Sequence, residues 1–432
     1  MSFDALTEKQ KRTIESDLET LFSKRALLAN PDISSFDGRD LFSRMITYKR
    51  RNLFLSDRGQ EALRSLTEII ASIGTVSGAS SNREIGMEVR RAYESWLTQH
   101  LQPDGCEFVE GVRFALAGTT KDYKFLVKVE GIELLDMEML DLGFAQIHKP
   151  DRKFLESVQF GDRLDIDTVY EDFHNSYWLL AGCFGTPDFA REQFEYRTSL
   201  AVGVIAICGS LLYEGALTRC CLRAHASPED ACAAVNSLRW EEGGANPSLS
   251  RRWATEQDLP LGSEMHAYLR SNCFLDTLTA LPTLSCPSQI QGAILRAIYW
   301  FGEANRDRNP VMQFVKLWSC IECFFGIDKE GLTERNARGM ATLLVYGGYG
   351  VVREDEYEDT KRQIKRLYGI RSKILHRGHV QHVRSTQVDK LASWTAWMIV
   401  SMAALTQKNY RTLREVREQV DRLDGLHCQF TE

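Results

Sequence analysis

Several features that mark other protein classes are missing from this sequence of 432 residues. Residues 1–18 are polar and charged, without the apolar stretch that a secretory signal requires. The longest apolar run, 199–213, is shorter than the roughly 20 residues that cross a bilayer, and Gly203 and Gly209 interrupt it. Neither an internal repeat nor a low-complexity tract occurs. These absences favour a folded cytoplasmic protein without a membrane span.

A general excess of positive charge is also missing. The formal net charge of -6 argues against a protein that coats nucleic acid or an anionic membrane over its whole surface, so any nucleic-acid site must be local. With 44% hydrophobic and 26% charged residues, the chain is typical of a globular protein with a sizeable core and two or three domains. Its eleven cysteines are expected to be reduced and mostly buried, because nothing indicates secretion.

Hydrophobic periodicity predicts an α+β fold that is mostly α. Residues 4–100 show helical spacing, whereas alternation from about residue 106 predicts a small antiparallel sheet, with strands near 108–114 and 123–134 joined by a turn at 117–120. Apolar residues on most sides of the stretch 192–223 predict a buried core helix.

Beyond Pro282 and Pro287 the pattern is helical again, with short connections that are typical of a bundle. The predicted helices are 290–303, 311–325, 334–344, 354–375 and 387–422. The sequence thus divides into a helical region (1–105), a mixed sheet and helix module with a sensing or regulatory role (106–285) and a helical domain (286–432).

Residues 361–377 form the most unusual local segment, with seven Lys or Arg residues and no acid in an acidic chain. Helical spacing predicts that Leu367, Ile370, Ile374 and Leu375 pack inward. The same spacing predicts an outward positive patch formed by Lys361, Arg362, Lys365 and Arg366. Such a patch attracts phosphates, although a solvated helix face without a ligand has the same composition.

Arg371 and His376 lie at the end of this segment, just before Gly378, where a helix is expected to stop. Histidine titrates near neutral pH and can transfer a proton, whereas arginine stays charged and can bind a phosphate through two parallel hydrogen bonds. RNA cleavage without a metal needs both functions. Five positions along an ideal helix place the two residues about 140° apart, so they converge only through the reach of Arg371 or a loosened last turn.

The sequence from Arg371 to Gly378 resembles the R-x4-6-H signature of HEPN domains, and the wider stretch 288–425 resembles their ApeA-like branch, found in prokaryotic defence proteins. The order of elements is similar as well: a helix with Trp300, an apolar helix with an embedded Glu322, the basic helix, and then the Arg/His motif.

This resemblance implies a metal-independent endoribonuclease with no cofactor, acting in anti-phage defence or as an RNA-cutting toxin. It implies catalytic roles for Arg371, His376 and Glu322, where Glu322 orients the Arg or His. It also implies a homodimer with a composite cleft, RNA (transfer RNA by analogy) as substrate, and a phage-derived trigger or regulatory protein as partner. The predicted RNA contacts are Lys361, Arg362, Lys365, Arg366, Lys373 and Arg377.

Three alternatives stay open. Some HEPN domains are inactive and serve as RNA-binding, protein-binding or dimerisation modules, which gives a non-catalytic interpretation. His376, His379 and His382 stand at three-residue steps and could bind a metal, although no acid or cysteine accompanies them. Cys320 and Cys323 form a C-x2-C pair, for which packing on an apolar helix is favoured over a redox function, and no second pair suggests zinc.

Overall fold

A computed structural model describes residue 3 and residues 6–28, 43–49, 51–101, 103–157, 165–226, 235–239, 248–252, 257–326, 331–377 and 383–431. Helices predominate and the strands form small sheets, so the predicted α+β, mostly α fold class is confirmed. The chain forms two compact units, Met1–Lys124 with Gly182–Phe194 and Phe125–Ala181 with Glu195–Glu432. The division at residues 105 and 285 into functional modules stays a prediction.

The first unit is built around helices that bury one apolar face each. Its helices are α1 (Glu8–Leu21), α2 (Asp57–Ala71), α3 (Gly74–Ser77), α4 (Asn82–Gln99) and α5 (Gly105–Thr119). A small antiparallel sheet of order β1-β3-β2 accompanies them, with β1 (Leu27–Leu28), β2 (Met45–Tyr48) and β3 (Arg51–Leu55). Ile14, Leu66, Val89 and Phe108 are fully buried in one shared core, as expected for amphipathic helices.

Helix α5 corrects the predicted strand near 108–114 and the predicted turn at 117–120. Asp104 caps the helix by accepting a hydrogen bond from the backbone N–H of Glu107 at 2.8 Å. Phe108, Val112 and Leu116 are buried at four-residue intervals, which is a helical period. The aromatic and β-branched residues suggested a strand, but the cap and this spacing indicate a helix.

Glu84 on α4 is a buried acid with a structural role in the first unit. Its carboxylate accepts hydrogen bonds from the Ser81 hydroxyl (2.8 Å), from the Thr186 hydroxyl and from the backbone N–H groups of Asp188 (2.9 Å) and Phe189 (3.3 Å). Burial alone would raise the pKa of Glu84, but these donors outweigh it and lower the pKa below its ordinary value. The carboxylate thereby joins α4 to the start of the helix that begins at Pro187.

Replacing Glu84 by glutamine is expected to destabilise the protein by about 1–3 kcal/mol at pH 7, because charge-assisted hydrogen bonds are lost. A lowered pKa in the folded state means that this stabilisation is present above the ordinary carboxyl pKa and disappears as pH falls through the folded value. Urea unfolding at pH 7 and at pH 3.5–4.5 should therefore show a shrinking difference between wild type and variant. A pH-independent difference would contradict this role, and Glu61→Gln, at an exposed acid, serves as control.

The second unit begins with a five-stranded sheet of order β6-β7-β8-β4-β9. Its strands are β4 (Lys121–Glu130), β6 (Met139–Asp141), β7 (Gln146–His148), β8 (Tyr177–Gly185) and β9 (Arg223–Ala224), and β4 and β8 each begin or end in the first unit. The strand predicted around 123–134 is confirmed, but it is divided at Gly131, which has a positive φ of 82°. The second part, β5 (Ile132–Leu134), pairs in parallel with β12 (Leu259–Leu261) rather than in the antiparallel sheet.

The second unit also contains several shorter elements. They are α6 (Arg152–Ser157), α7 (Ile166–Phe173), the hairpin of β10 (Val235–Arg239) with β11 (Ser248–Arg252), α10 (Ser263–Asn272) and α11 (Leu275–Ala280). Between them run the long helix α8 (Pro187–Leu212) and the short helix α9 (Ala216–Arg219). By length and composition α8 could cross a bilayer, but 67% of its most apolar window is buried inside the protein. This burial agrees with the predicted core helix.

Six helices form the carboxyl-terminal part of the described chain. They are α12 (Gln289–Arg306), α13 (Pro310–Phe325), α14 (Leu332–Tyr346), α15 (Tyr357–Arg377), α16 (Ser385–Gln407) and α17 (Leu413–Thr431). Helix α12 packs along α13 and α14 packs along α15, while α16 contacts α12, α13 and α14. Helix α16 is buried on most sides, so it is the centre of the bundle.

The single helix predicted for 387–422 is wrong, because two helices occupy this stretch. Helix α16 ends before Asn409, whose φ of 65° is left-handed and incompatible with a continuing helix. Thr412 then starts α17: its hydroxyl accepts from the Glu415 N–H (3.3 Å), while the Glu415 carboxylate accepts from the Thr412 N–H (2.8 Å). This capping box, written T-x-x-E in the sequence, is the signal that was missed.

Helices α8 and α12 approach closely at two glycines. A Cβ on Gly203 would lie 2.2 Å from the carbonyl oxygen of Ile298, and one on Gly302 would lie 2.9 Å from the carbonyl oxygen of Ser199. Backbone atoms cannot move aside as a flexible side chain can. The two glycines therefore set the distance between these helices.

Gly203→Ala is expected to destabilise the protein by about 1–3 kcal/mol, because overpacking forces the helices apart. Helix propensity acts in the opposite direction, since alanine is favoured over glycine by about 1 kcal/mol. The free energy of unfolding in urea tests the sign. Gly292→Ala, on the same helix α12 as Gly302 and with no close backbone contact, is the matched control and should be neutral or stabilising.

Candidate functional site

The centre of the candidate site is an ion pair between α13 and α15. The Arg371 guanidinium donates from Nη2 to Oε2 of Glu322 at 2.7 Å, and the two side chains are 17% and 22% exposed. Two residues that lie 49 positions apart in the sequence are thus brought into contact. The partly buried position means that water screens the pair less than it would on an open surface.

Aromatic rings support Arg371 from the side of the bundle. The guanidinium lies over the ring of Tyr368, 5.5 Å from its centroid, and Trp318 contacts Tyr368 edge-on with 5.1 Å between ring centroids. Burial raises the pKa of Tyr368 and the Glu322 carboxylate raises it further, against the effect of Arg371, so the phenol is neutral. Neither ring was among the residues predicted for the site. Tyr368 precedes Arg371 by three positions and Trp318 precedes Glu322 by four, which is the spacing of neighbours on one helix face.

The ion pair leaves polar atoms unused. Oε1 of Glu322 and Nε of Arg371 are buried and have no hydrogen-bond partner among the described residues. An unpaired buried polar group costs about 1–3 kcal/mol, and such groups are uncommon in folded proteins. A fold optimised only for stability would pair such atoms, so this ion pair is unusual for a purely structural one.

His376 lies on the same helix but in a different environment. Helix α15 continues without interruption to Arg377, so the loosened last turn that would bring Arg371 and His376 together does not occur. Five residues of regular helix separate them by about 140° around the axis. His376 is exposed, and within the described part of the chain no hydrogen bond joins it to Arg371. One chain therefore holds the two groups on different sides of one helix end.

The basic residues near the start of α15 are mostly neutralised by acids. Lys365 pairs with Glu334 at 2.5 Å, and Arg362 pairs with Asp359 one turn earlier on the same helix. The exposed cations towards the other end are Arg366 and Lys373. The positive patch is therefore smaller than the sequence predicts and lies closer to the Arg/His motif; the side chain of Arg377 lies outside the described residues.

Lys361 corrects the prediction that it projects outward. Its side chain is 11% exposed, and its ammonium group donates to Oδ1 of Asp424 on α17 at 3.1 Å. The Tyr357 hydroxyl donates to the same carboxylate oxygen at 2.7 Å. Sequence spacing could not show this, because α17 covers the side of α15 that an isolated helix would expose to water. Leu375, by contrast, was predicted to pack inward and is 48% exposed.

The other candidate groups fall into two classes. His379 and His382 lie outside the part of the chain that the structure describes. Within the described part, no group of three potential metal ligands occurs. Cys320 is fully buried and burial raises its pKa well above the ordinary value, while burial also raises the pKa of Cys323. Both are thus neutral thiols, which agrees with the packing interpretation rather than with a reactive thiolate.

No protein-family model, curated protein or solved structure matches this chain. The resemblance to HEPN domains therefore depends on the residues of the motif and on the order of the helices. The function built on it is a proposal.

Proposed function

We propose that this protein is a metal-independent endoribonuclease of the HEPN type. The observation that supports it most is the Arg371–Glu322 ion pair, since the resemblance assigns these two residues to one site and the helices bring them into contact. A cation fixed in advance by a carboxylate and an aromatic ring can stabilise charge on a phosphate without rearrangement.

In this mechanism His376 transfers the proton and Arg371 stabilises the negative charge that develops on the phosphoryl oxygens. The 2'-hydroxyl of the ribose attacks the neighbouring phosphorus, the P–O5' bond breaks, and the leaving oxygen takes up a proton. The products are a 2',3'-cyclic phosphate and a 5'-hydroxyl. No electron transfer occurs, and the proton lost by the 2'-hydroxyl balances the one gained by the leaving group.

The separation of Arg371 and His376 around α15 supports a homodimer as the active form. Two copies that face each other can bring the Arg371 of one close to the His376 of its partner, which a single helix cannot do. The exposed Leu375, next to His376, would be covered in such an assembly. Light scattering of the active protein tests this, because activity in a strictly monomeric state would exclude a shared cleft.

The experiment that tests the function is cleavage of total cellular RNA by the purified protein in EDTA, followed by analysis of the ends. We expect cyclic phosphate and 5'-hydroxyl termini, and an oligonucleotide with a single 2'-deoxy sugar at the cleavage position should resist. Cleavage only after a divalent metal is added would reject the mechanism. If the enzyme is latent, it needs a trigger. The same cleavage assay is therefore repeated with lysate from phage-infected cells, which supplies a phage-derived trigger.

A non-catalytic helical binding module is the second candidate, and one observation favours it. Lys361, Lys365 and Arg362 are each paired with acids, which reduces the attraction of α15 for phosphate. A module of this kind would bind a protein partner or RNA equally well after His376→Ala and would release no cyclic phosphate. In either case the role of the amino-terminal two thirds as a sensing or regulatory module, and the cytoplasmic location, remain predictions.

A further inference from the structure

A cleft in the second unit lies outside the candidate nuclease site. It has a volume of about 580 Å³ and runs between the first turns of α16 and the turn that joins α8 to α9. This volume is in the usual range for small-molecule sites, roughly 300–1,000 Å³. Ser210, Leu217, Ala392 and Trp394 line it and are buried, so the cleft has a floor rather than being an open surface.

Ser210 is the residue of this floor that the fold does not explain. It is 7% exposed, and its hydroxyl has no hydrogen-bond partner among the described residues. Serine within a helix usually bonds to the backbone carbonyl four residues earlier or points to solvent, and this hydroxyl does neither. An unpaired buried hydroxyl is uncommon, and this one lies beneath the floor of the cleft with almost no accessible surface.

One part of the rim of the cleft carries two cations. Arg219 and Lys390 line it and are exposed, and the Lys390 ammonium lies 4.7 Å from the centroid of the Trp394 ring. Thr386 belongs to the first turn of the 23-residue helix α16, where unpaired N–H groups and the helix dipole favour negative charge. Two cations and a helix start are therefore close enough to line one cleft.

Another part of the lining offers hydrogen-bond acceptors. Both carboxylate oxygens of Asp389 lie within hydrogen-bond distance of the Thr218 hydroxyl, at 2.8 and 2.9 Å. Glu214 also lines this part of the cleft. Residues 210–212 form the last turn of α8, whose carbonyl groups cannot all be paired within the helix. This part of the cleft suits a group that donates hydrogen bonds.

We propose that this cleft binds a nucleoside monophosphate, with its phosphate at Arg219, Lys390 and the start of α16. The sugar hydroxyls and the base would then donate to Asp389 and Glu214. An inorganic anion would use the cations alone, whereas a nucleotide uses the cations, the acceptors and the apolar floor together. This site goes beyond the proposed nuclease function and does not depend on it.

The cleft is also connected to the helix of the Arg/His motif. Lys390 donates from Nζ to Oε1 of Gln363 on α15 at 2.6 Å. A phosphate at Lys390 would compete for the same ammonium hydrogens. A ligand in the cleft would therefore weaken the contact between Lys390 and Gln363, which lies on the helix that carries Arg371.

Calorimetric titration in EDTA with AMP, GMP, CMP and UMP tests the proposal, with inorganic phosphate and the four nucleosides as separate ligands. We expect saturable binding of at least one nucleotide with a Kd below about 1 mM, and at least tenfold weaker binding of phosphate or the nucleoside alone. Arg219→Ala should weaken nucleotide binding tenfold or more. Arg353→Ala, at an arginine that is 76% exposed, should leave the affinity unchanged, as should Arg371→Ala.

The proposal is overturned by the absence of binding of any nucleotide up to about 5 mM, by equal affinity for inorganic phosphate, or by wild-type affinity in Arg219→Ala. Loss of binding in Arg371→Ala would place the nucleotide in the nuclease site and would also reject the cleft. Glu214→Gln provides a second variant, because it removes the charge of an acceptor in the lining without adding volume, and it should change the affinity for the nucleotide more than that for inorganic phosphate. Because nucleotide binding is measured without RNA, its absence can be distinguished from an absence of RNA cleavage.

Discussion

His376→Ala is expected to lower the rate of RNA cleavage by about 10²–10⁴-fold, because general acid–base catalysis contributes that much. Arg371→Ala is expected to lower it by about 10²–10³-fold, which is the usual effect of removing one donor that stabilises transition-state charge. Both effects should appear in the rate at saturating RNA, since each group acts on the reacting phosphate. The measurement is single-turnover cleavage of a labelled RNA in EDTA, started with equal amounts of folded protein.

Control variants separate catalysis from general charge and from folding. His100→Ala and Arg414→Ala change exposed residues far from the motif in sequence and should cleave at the wild-type rate. Arg371→Lys keeps the charge but loses the planar guanidinium, so its activity should stay well below wild type. Glu322→Gln keeps the shape of the side chain but removes the charge that orients Arg371, and we expect a smaller loss than with Arg371→Ala. Full activity in both His376→Ala and Arg371→Ala would mean that the site lies elsewhere.

Lys361→Met is expected to destabilise the protein by about 1–3 kcal/mol, although the sequence suggests an exposed lysine of little importance. The substitution removes the closest cation of the Asp424 carboxylate, whose side chain is 16% exposed. Tyr357 still donates to this carboxylate and Arg338 stays 3.9 Å away, so the remaining charge is compensated in part and the cost lies below that of a fully unpaired buried charge. The free energy of unfolding in urea at pH 7 measures the effect.

Arg362→Ala is the matched control for this prediction, because Arg362 follows Lys361 on the same helix but is 68% exposed. Its pair with Asp359 should contribute less than about 1 kcal/mol. The double variant Lys361→Met with Asp424→Asn should recover part of the stability, since it removes both charges. Equal, small effects of Lys361→Met and Arg362→Ala would show that Lys361 is not buried as described.

Local patterns predicted much of the carboxyl-terminal fold. The helices expected at 290–303, 311–325, 334–344 and 354–375 correspond to α12 through α15 with ends that shift by a few residues. Apolar spacing and polar ends determine such helices locally. The predictions were wrong where two local patterns point to different structures, as at the helix cap Asp104 and the capping box at Thr412.

The candidate site likewise has features that the sequence predicts and features that depend on the tertiary structure. The sequence by itself determined that Arg371 and His376 stand five positions apart at the end of a basic helix, because this depends only on residue type and helical period. Only the tertiary structure decided that Arg371 contacts Glu322, that Lys361 is buried against Asp424, and that Arg219 and Lys390 line one cleft. Those facts depend on which helix covers which face, and contacts between residues far apart in the sequence leave no trace in local spacing.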